Sequence, residues 1–567
     1  MDRITKSLLD EFAAEHGVAR MPEDKQFEHF AAYLTISRHH GDAFETSDVA
    51  TGAGADTGID AVAIVINGTL VTDAEMVEEL AKTNGFLEVT FVFVQAERSS
   101  SFESAKIGQF GFGVVDFFAD QPRLPRNTTV EAASEVMAKV YASVSRFKRG
   151  NPACRLYYVT TGKWTEDRNL EVRRKAVVDD LINLRIFRDV EFIPVDADRI
   201  QKLYNQMRNA ISREFTFADK TVVPELPGIK EAYLGIIPAK EFIPLIEDDG
   251  GEMLRSIFYD NVRDWQDYNA VNDGIRATLQ SAAARSRFVL MNNGITIITK
   301  KLLPTGNKFT IEDYQIVNGC QTSHVLWKNR EFIDDSVMIP LRLIATEDEE
   351  VIGAIIKATN QQTEVKQEQL LAFSDFQKKL EAYFLSFELG RRLYYERRSR
   401  QFANVNVEKT RIVTPASLIR AYASMFLDEP HRTTRNYKTL LDKIGDSIFG
   451  SDHRLHAYYA AAVAHYRLEY LFRNQFLDAK YKPARYHILL ALRIMAVPQK
   501  PAKPNSHEMD RYADKLLTIL WDTTAAETAF RGAAEVVDQV ANGNFHRDHI
   551  RTQPFTDSLK KELVTTL

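Results

Sequence analysis

Cysteine is nearly absent. The 567 residues hold two, Cys154 and Cys320, too far apart in sequence for a cysteine-rich zinc cluster and too few for a disulfide scaffold. They suit a reducing cytosol, so a cytoplasmic location is expected. No run approaches the ~18 uninterrupted apolar residues of a membrane span. The first residues, MDRITKSLLDEF, are charged and carry no apolar stretch, so neither a span nor a secretory signal is expected. An excess of basic charge is also missing: 72 Lys and Arg against 78 Asp and Glu leave a net charge of −6. That excludes a globally basic nucleic-acid coat but not a local basic groove. There is no P-loop, no nucleophile elbow and no Ser/His/Asp set. TGAGADTG (51–58) precedes a strand pattern instead of following one, so it is no dinucleotide fingerprint. His39-His40 and the pair His546 and His549 lack partner ligands at zinc spacing.

What is present reads as a folded multidomain chain. Hydrophobic residues are 45% and charged residues 26%, and the length suggests about two to four domains. Residues 1–215 alternate helix and strand signals. PEDKQFEHFAAYL (22–34) has Phe27, Phe30, Ala31 and Leu34 at helical spacing. IDAVAIVINGTLV (59–71) places apolar runs around Asn67-Gly68, a hairpin signal. DAEMVEELAKT (73–83) predicts a helix, FLEVTFVFVQAE (86–97) a buried strand, and SFESAKIGQFGFGVVDFF (101–118) a helix despite its glycines. RLYYVTTG (155–162) and VEFIPVD (190–196) read as strands around the charged helix 169–184. This order implies a mixed sheet flanked by helices. Residues 216–365 form a second α/β unit, with strands expected over 287–299, 309–319 and 337–346, and residues 366–567 look helical.

Three sets of residues carry chemistry. Asp60 opens the first buried strand; Gln95 and Glu97, two apart, share a face of the next; Glu28 lies at the edge of the first helix's apolar stripe. Converging carboxylate and carbonyl oxygens suit Mg²⁺ or Mn²⁺, and such a metal activates water against a phosphodiester. The second set is amides: Asn292, Asn293, Asn318, Gln321 with Thr322, Asn360 and Gln361. They suit a base edge or a nucleotide more than proton transfer, with a helix beginning at Gln321-Thr322 offering N–H groups to phosphate. The third set is basic, GRRLYYERRSRQF (390–402), in which Arg391, Arg392, Arg397, Arg398 and Arg400 interleave with Tyr394, Tyr395 and Phe402, as a DNA-backbone contact would.

The order helix-Glu, strand-Asp, strand-(E/Q)xK resembles the core of PD-(D/E)xK nucleases, of the type found in restriction endonucleases. The matching positions are Glu28, Gly58-Ile59-Asp60 and Gln95-Ala96-Glu97. The family's usual lysine is Glu97 here, followed by Arg98, and Lys106 on the next helix stands in reserve. The resemblance implies that Asp60 and Glu97 ligate the metal, with Gln95 or the Ala96 carbonyl helping and Glu28 orienting metal or water. VRDW (262–265), MNNGITII (291–298), QIVNGCQTSHVL (315–326) and ATNQQTEV (358–365), in that order, resemble the AIPR family of abortive-infection phage-resistance proteins. IVNGCQT is also similar to the glycine–glutamine motif of ParB-like and DGQHR proteins, some of which bind or hydrolyse nucleotides.

The expectation is thus an α/β multidomain protein. An N-terminal PD-(D/E)xK-like mixed sheet flanked by helices (1–215) precedes a central AIPR α/β domain (216–365) and a C-terminal all-α domain (366–567). The expected function is anti-phage defence by metal-dependent cleavage of DNA, gated by the central domain, with a phage-derived trigger or nucleotide and a second copy of the chain as further partners. The alternatives are a degenerate nuclease core serving as a binding module, or a nucleotide hydrolase centred on NGCQT.

Overall fold

A computed structural model describes the chain apart from residues 42, 53–57, 149, 166, 209–210, 249–250, 252, 259–269, 361–373, 398–400, 403–404, 406, 436 and 567. The fold is α/β and multidomain, with sheets in the first two thirds and helices after them.

Helix α1 (Arg3–Glu15) starts at Asp2, whose carboxylate accepts from the Ile4 and Thr5 amides at 2.9 and 3.0 Å. Helix α2 (Glu23–Ile36) follows Pro22 and carries Glu23 and Asp24 in its first turn, where acids favour the helix dipole. Strands β1 (Ala61–Ile66) and β2 (Thr69–Val71) form the expected hairpin. Asn67 and Gly68 both sit at positive φ (52° and 84°), as a tight right-twisted hairpin demands. Then come α3 (Ala74–Asn84), β3 (Val89–Glu97), α4 (Ser104–Phe117), α5 (Thr128–Ala142), β4 (Ala153–Thr160), α6 (Arg168–Asn183), β5 (Asp189–Val195) and α7 (Ala197–Arg208). The sheet order is β2-β1-β3-β4-β5, with β1 antiparallel to β2 and β3, and β3, β4 and β5 parallel.

The period-2 alternation divides this unit's core. Val62, Ile64, Phe91 and Phe93 pack with α3 to α6, whereas Ala61, Ala63, Val92 and Val94 pack with α1, α2 and α7. Because both faces are covered, β1 is buried throughout and its sequence is almost continuously apolar.

The second sheet runs β6 (Ser212–Thr216), β10 (Lys308–Asn318), β9 (Ile295–Thr305), β11 (Met338–Ala345), β8 (Glu231–Pro238), β7 (Asp219–Val222). Strand β6 pairs with β10, so this sheet begins a few residues before 216. The strand expected over 287–299 starts only at Ile295; Phe288–Leu290 is a 3-10 turn. Beyond residue 374 the chain is mostly helical, built on Leu455–Arg473 and Arg485–Ala496 with Pro415–Phe426, His507–Trp521 and Thr523–Ala541, but not all-α as expected, since Tyr394–Tyr395 and Ile412–Val413 pair as short parallel strands. Among the described residues no helix is long and apolar enough to cross a membrane.

Candidate functional site

Asp60 directly precedes β1 and Glu97 ends the antiparallel β3, so the register of the pair puts both at one end of the sheet. Asp60 is fixed by its backbone, its N–H donating to the Val94 carbonyl at 2.8 Å. Its side-chain Oδ2 accepts from the Ala96 amide at 2.7 Å and from Gln95 Nε2 at 3.1 Å. Gln95 and Glu97 share the face covered by α4, as their spacing predicts. Glu97 accepts from Tyr158 Oη at 3.2 Å on one oxygen and pairs with Lys106 Nζ at 2.6 Å on the other. The hydrogen bond and charge of Glu97 raise the Lys106 ammonium above its usual range. Burial, with Glu97 adding to it, pushes the Tyr158 hydroxyl up, so it remains a donor. Glu28 sits on α2, against the opposite face, where Lys25 Nζ donates to both its oxygens at 2.8 Å. Burial opposes the charge of Lys25, but Glu28, Asp60 and Asp24 outweigh it and raise its pKa. Lys25 was missed in the sequence, although its place three residues before Glu28 on one helix face was a readable signal.

The donors are hard oxygens, the class that suits Mg²⁺ or Mn²⁺. Among the described residues no group of three or more His, Cys, Asp or Glu lies close enough to hold a metal. Mg²⁺ keeps waters and substrate oxygens in its shell and is often held by one or two carboxylates, and Asp60 and Glu97 are carboxylates of that kind and number.

The described members of the amide set, Asn292, Asn293, Asn318 and Gln321, lie at one end of the central sheet, and much of this group serves the backbone. Asn292 Oδ1 accepts from the Gly294 amide at 2.7 Å, and its Nδ2 donates to the Phe288 carbonyl at 3.1 Å. Asn318 Nδ2 donates to the Thr359 carbonyl at 2.8 Å. Gln321 Oε1 accepts at 2.8 Å from Asn272, a fully buried residue that the sequence did not mark. Thr322 is buried, and Asn293 is exposed. Both Asn-Gly motifs have a packing reason. A Cβ on Gly319 would come within 2.9 Å of the Gly294 carbonyl oxygen, and one on Gly294 within 2.6 Å of the Pro340 carbonyl oxygen. The side chain of Asn360 and all of Gln361 and VRDW (262–265) lie outside the described residues.

The arginine run does not form one open face. Arg397 is 7% exposed and pairs with Glu381 at 2.8 Å, since Tyr395 beside it is drawn into the core, where it donates to Gln377. Phe402 is buried against Tyr394. Arg392 Nε donates to the Phe387 carbonyl at 2.9 Å, and Arg391 lies 3.5 Å from Glu388. Arg398 and Arg400 lie outside the described residues. Cys154 and Cys320 are buried and not joined in a disulfide, and burial pushes the Cys154 thiol up, away from nucleophilic use.

Comparison with known proteins gives one family. The model described as AIPR protein matches residues 258–544, half of the chain. No curated protein and no solved structure matches.

Proposed function

The chain belongs to the AIPR family, and from that premise we propose that it is a bacterial anti-phage defence protein acting as a metal-dependent DNA endonuclease through Asp60 and Glu97. The observation that carries this reading is the meeting of Asp60, Gln95, Glu97 and Lys106 across β1, β3 and α4, with Lys25 and Glu28 approaching from α2. Asp60 and Glu97 would hold Mg²⁺ or Mn²⁺. Such an ion, when bound, lowers the pKa of its water and stabilises charge on phosphate. Gln95 and the Ala96 amide orient the Asp60 carboxylate, and Tyr158 orients Glu97. Lys106 Nζ carries its proton firmly at neutral pH, so it neutralises a phosphate oxygen and does not take a proton from water. Glu28 is the carboxylate left to orient water.

The Glu97–Lys106 pair favours a second reading, a core that binds DNA or a phage trigger without cutting it. A nucleotide hydrolase at Asn318 to Thr322 has less support, because Asn318 and Gln321 are engaged with Thr359 and Asn272.

Plasmid cleavage with Mg²⁺ or Mn²⁺ separates them. Nicking or linearisation that EDTA blocks, and that Asp60→Asn and Asp60→Ala both abolish, is the expected result. Cleavage that survives in both variants overturns the assignment, and tight DNA binding without cleavage makes the second reading the right one. Light scattering tests the expected homodimer.

A further inference from the structure

Basic residues of the helical unit meet acidic residues of the N-terminal unit along a seam. Arg473, ending the helix Leu455–Arg473, is 2% exposed, and its Nε and Nη2 donate to the two oxygens of Glu45, each at 3.2 Å. Arg485 Nη2 donates to Asp48 Oδ1 at 2.8 Å, while its Nη1 lies 3.1 Å from Glu469. Lys482 donates to the Ser47 carbonyl and lies 3.9 Å from Asp48. Farther along, Arg551 pairs with Asp73, the N-cap of α3, and Arg547 reaches Asp73 and Glu135 at 3.7 and 3.2 Å. The apolar clusters of the two units stay separate, one within residues 376–563 and two within residues 9–204. Charge, more than shared apolar area, therefore holds this seam.

Segment 45–51 joins the seam to the Asp60 site. At one end stand Glu45, Ser47 and Asp48. At the other, the Thr51 amide donates to the Asp60 carbonyl at 3.0 Å and the Val62 amide to the Val49 carbonyl at 2.9 Å, which bridges Ala50 to Ala61. His29, next to Glu28 on α2, shares a hydrogen bond with Thr46 Oγ1 at 2.7 Å. One short segment thus touches the backbone of Asp60, the helix of Glu28 and three basic residues of the helical unit.

We propose that Arg473 and Arg485 are positioning residues, through which the helical unit holds segment 45–51 and so sets the placement of Asp60 and Glu28. The effect on cleavage rests on the nuclease reading above; the mechanical coupling does not.

Hydrogen exchange on the full chain tests it. Arg485→Gln is expected to speed exchange at Thr51 and Val62 by about tenfold or more, with the β4 amides around Tyr157 unchanged, and Arg485→Lys to restore most of the protection. In the plasmid assay Arg485→Gln is expected to lower kcat, with Arg485→Lys again restoring it. Unchanged exchange at Thr51 and Val62 in Arg485→Gln overturns the proposal. So does no recovery in Arg485→Lys. If Arg485→Gln opens the whole chain, Glu45→Gln, which loosens the partly solvated Glu45 side of the seam, gives the deciding comparison against the same amides. Exchange is read without substrate, so local coupling in a protein that never cleaves tells against the nuclease reading alone.

Discussion

At the scale of one residue, Asp60 holds a backbone amide and, in the function proposed, a metal, and substitution can pull the two roles apart. Its carboxylate accepts the Ala96 amide; Asp60→Ala strands that donor and is expected to cost ~1–2 kcal/mol of stability. Asp60→Asn keeps an oxygen there and is expected to stay within ~0.5 kcal/mol of the parent, measured by urea unfolding, while removing the charge that the proposed metal site needs. Gly17 is a second such residue. It sits at φ +63°, and a Cβ there would meet Arg473 Nη1 at 2.9 Å. Gly17→Ala therefore combines left-handed strain with a displaced buried guanidinium, and a loss of ~1–3 kcal/mol is expected in the same assay. An unchanged unfolding midpoint would mean that Arg473 has room to move.

The elements nearest the candidate site were the most legible. The apolar stripe of α2, the Asn67-Gly68 hairpin and the β-branched run of β3 each point one way locally, and the structure follows them. Helix α4 was legible in spite of three glycines, and the structure says why two of them differ. A Cβ at Gly111 would fall 2.3 Å from Val177 Cγ2 on α6, whereas at Gly108 it would rest 3.4 Å from the flexible Arg173. Gly111→Ala is expected to destabilise by ~1–3 kcal/mol, with recovery in Gly111→Ala/Val177→Ala. Gly108→Ala is expected to be neutral or to stabilise by up to ~1 kcal/mol through helix propensity. Calorimetry on the three variants checks both. Less legible was α5, although Asn127 caps it by accepting the Val130 amide at 3.0 Å. Its buried set is only Val130, Val136 and Val140, too thin a stripe to announce itself. The strand starting at Ile295 was drawn too early because Phe288 to Leu290 is apolar too, and nothing local shows that Asn292 turns the chain.

Across the whole molecule the arrangement of charge sets the pH behaviour. Burial first, then nearby cations such as Arg473, drive His16, His29 and His487 down to about 3, and His465 to about 4. In the unfolded chain these rings titrate near 6.5. Between the two values the unfolded chain binds more protons, so stability falls as pH drops below about 6.5 and stops falling near the folded values. Each ring contributes up to about 1.4 kcal/mol per pH unit. Asp48 acts later: burial pushes it up, but Arg485 and Lys482 outweigh that and hold it at about 2, so its contribution fades only below about pH 4. A melting temperature that falls steadily from pH 6.5 to 5 is expected, and a flat one would place these rings in water. None of this was legible, since a histidine in a sequence carries no mark of its depth. The candidate carboxylates were found by local pattern, whereas Glu45 and its partner Arg473 stand 428 residues apart.

That separation has a meaning for synthesis. At about 5–20 residues per second, the strand pair bearing Asp60 leaves the ribosome roughly 20–90 seconds before Arg473 and Arg485 exist. During that interval the first unit is a nascent domain without its clasp, and a chain cut short before the helices never acquires one. In the proposed coupling, the placement of Asp60 and Glu28 is then completed only after the helices bearing Arg473 and Arg485 have been made.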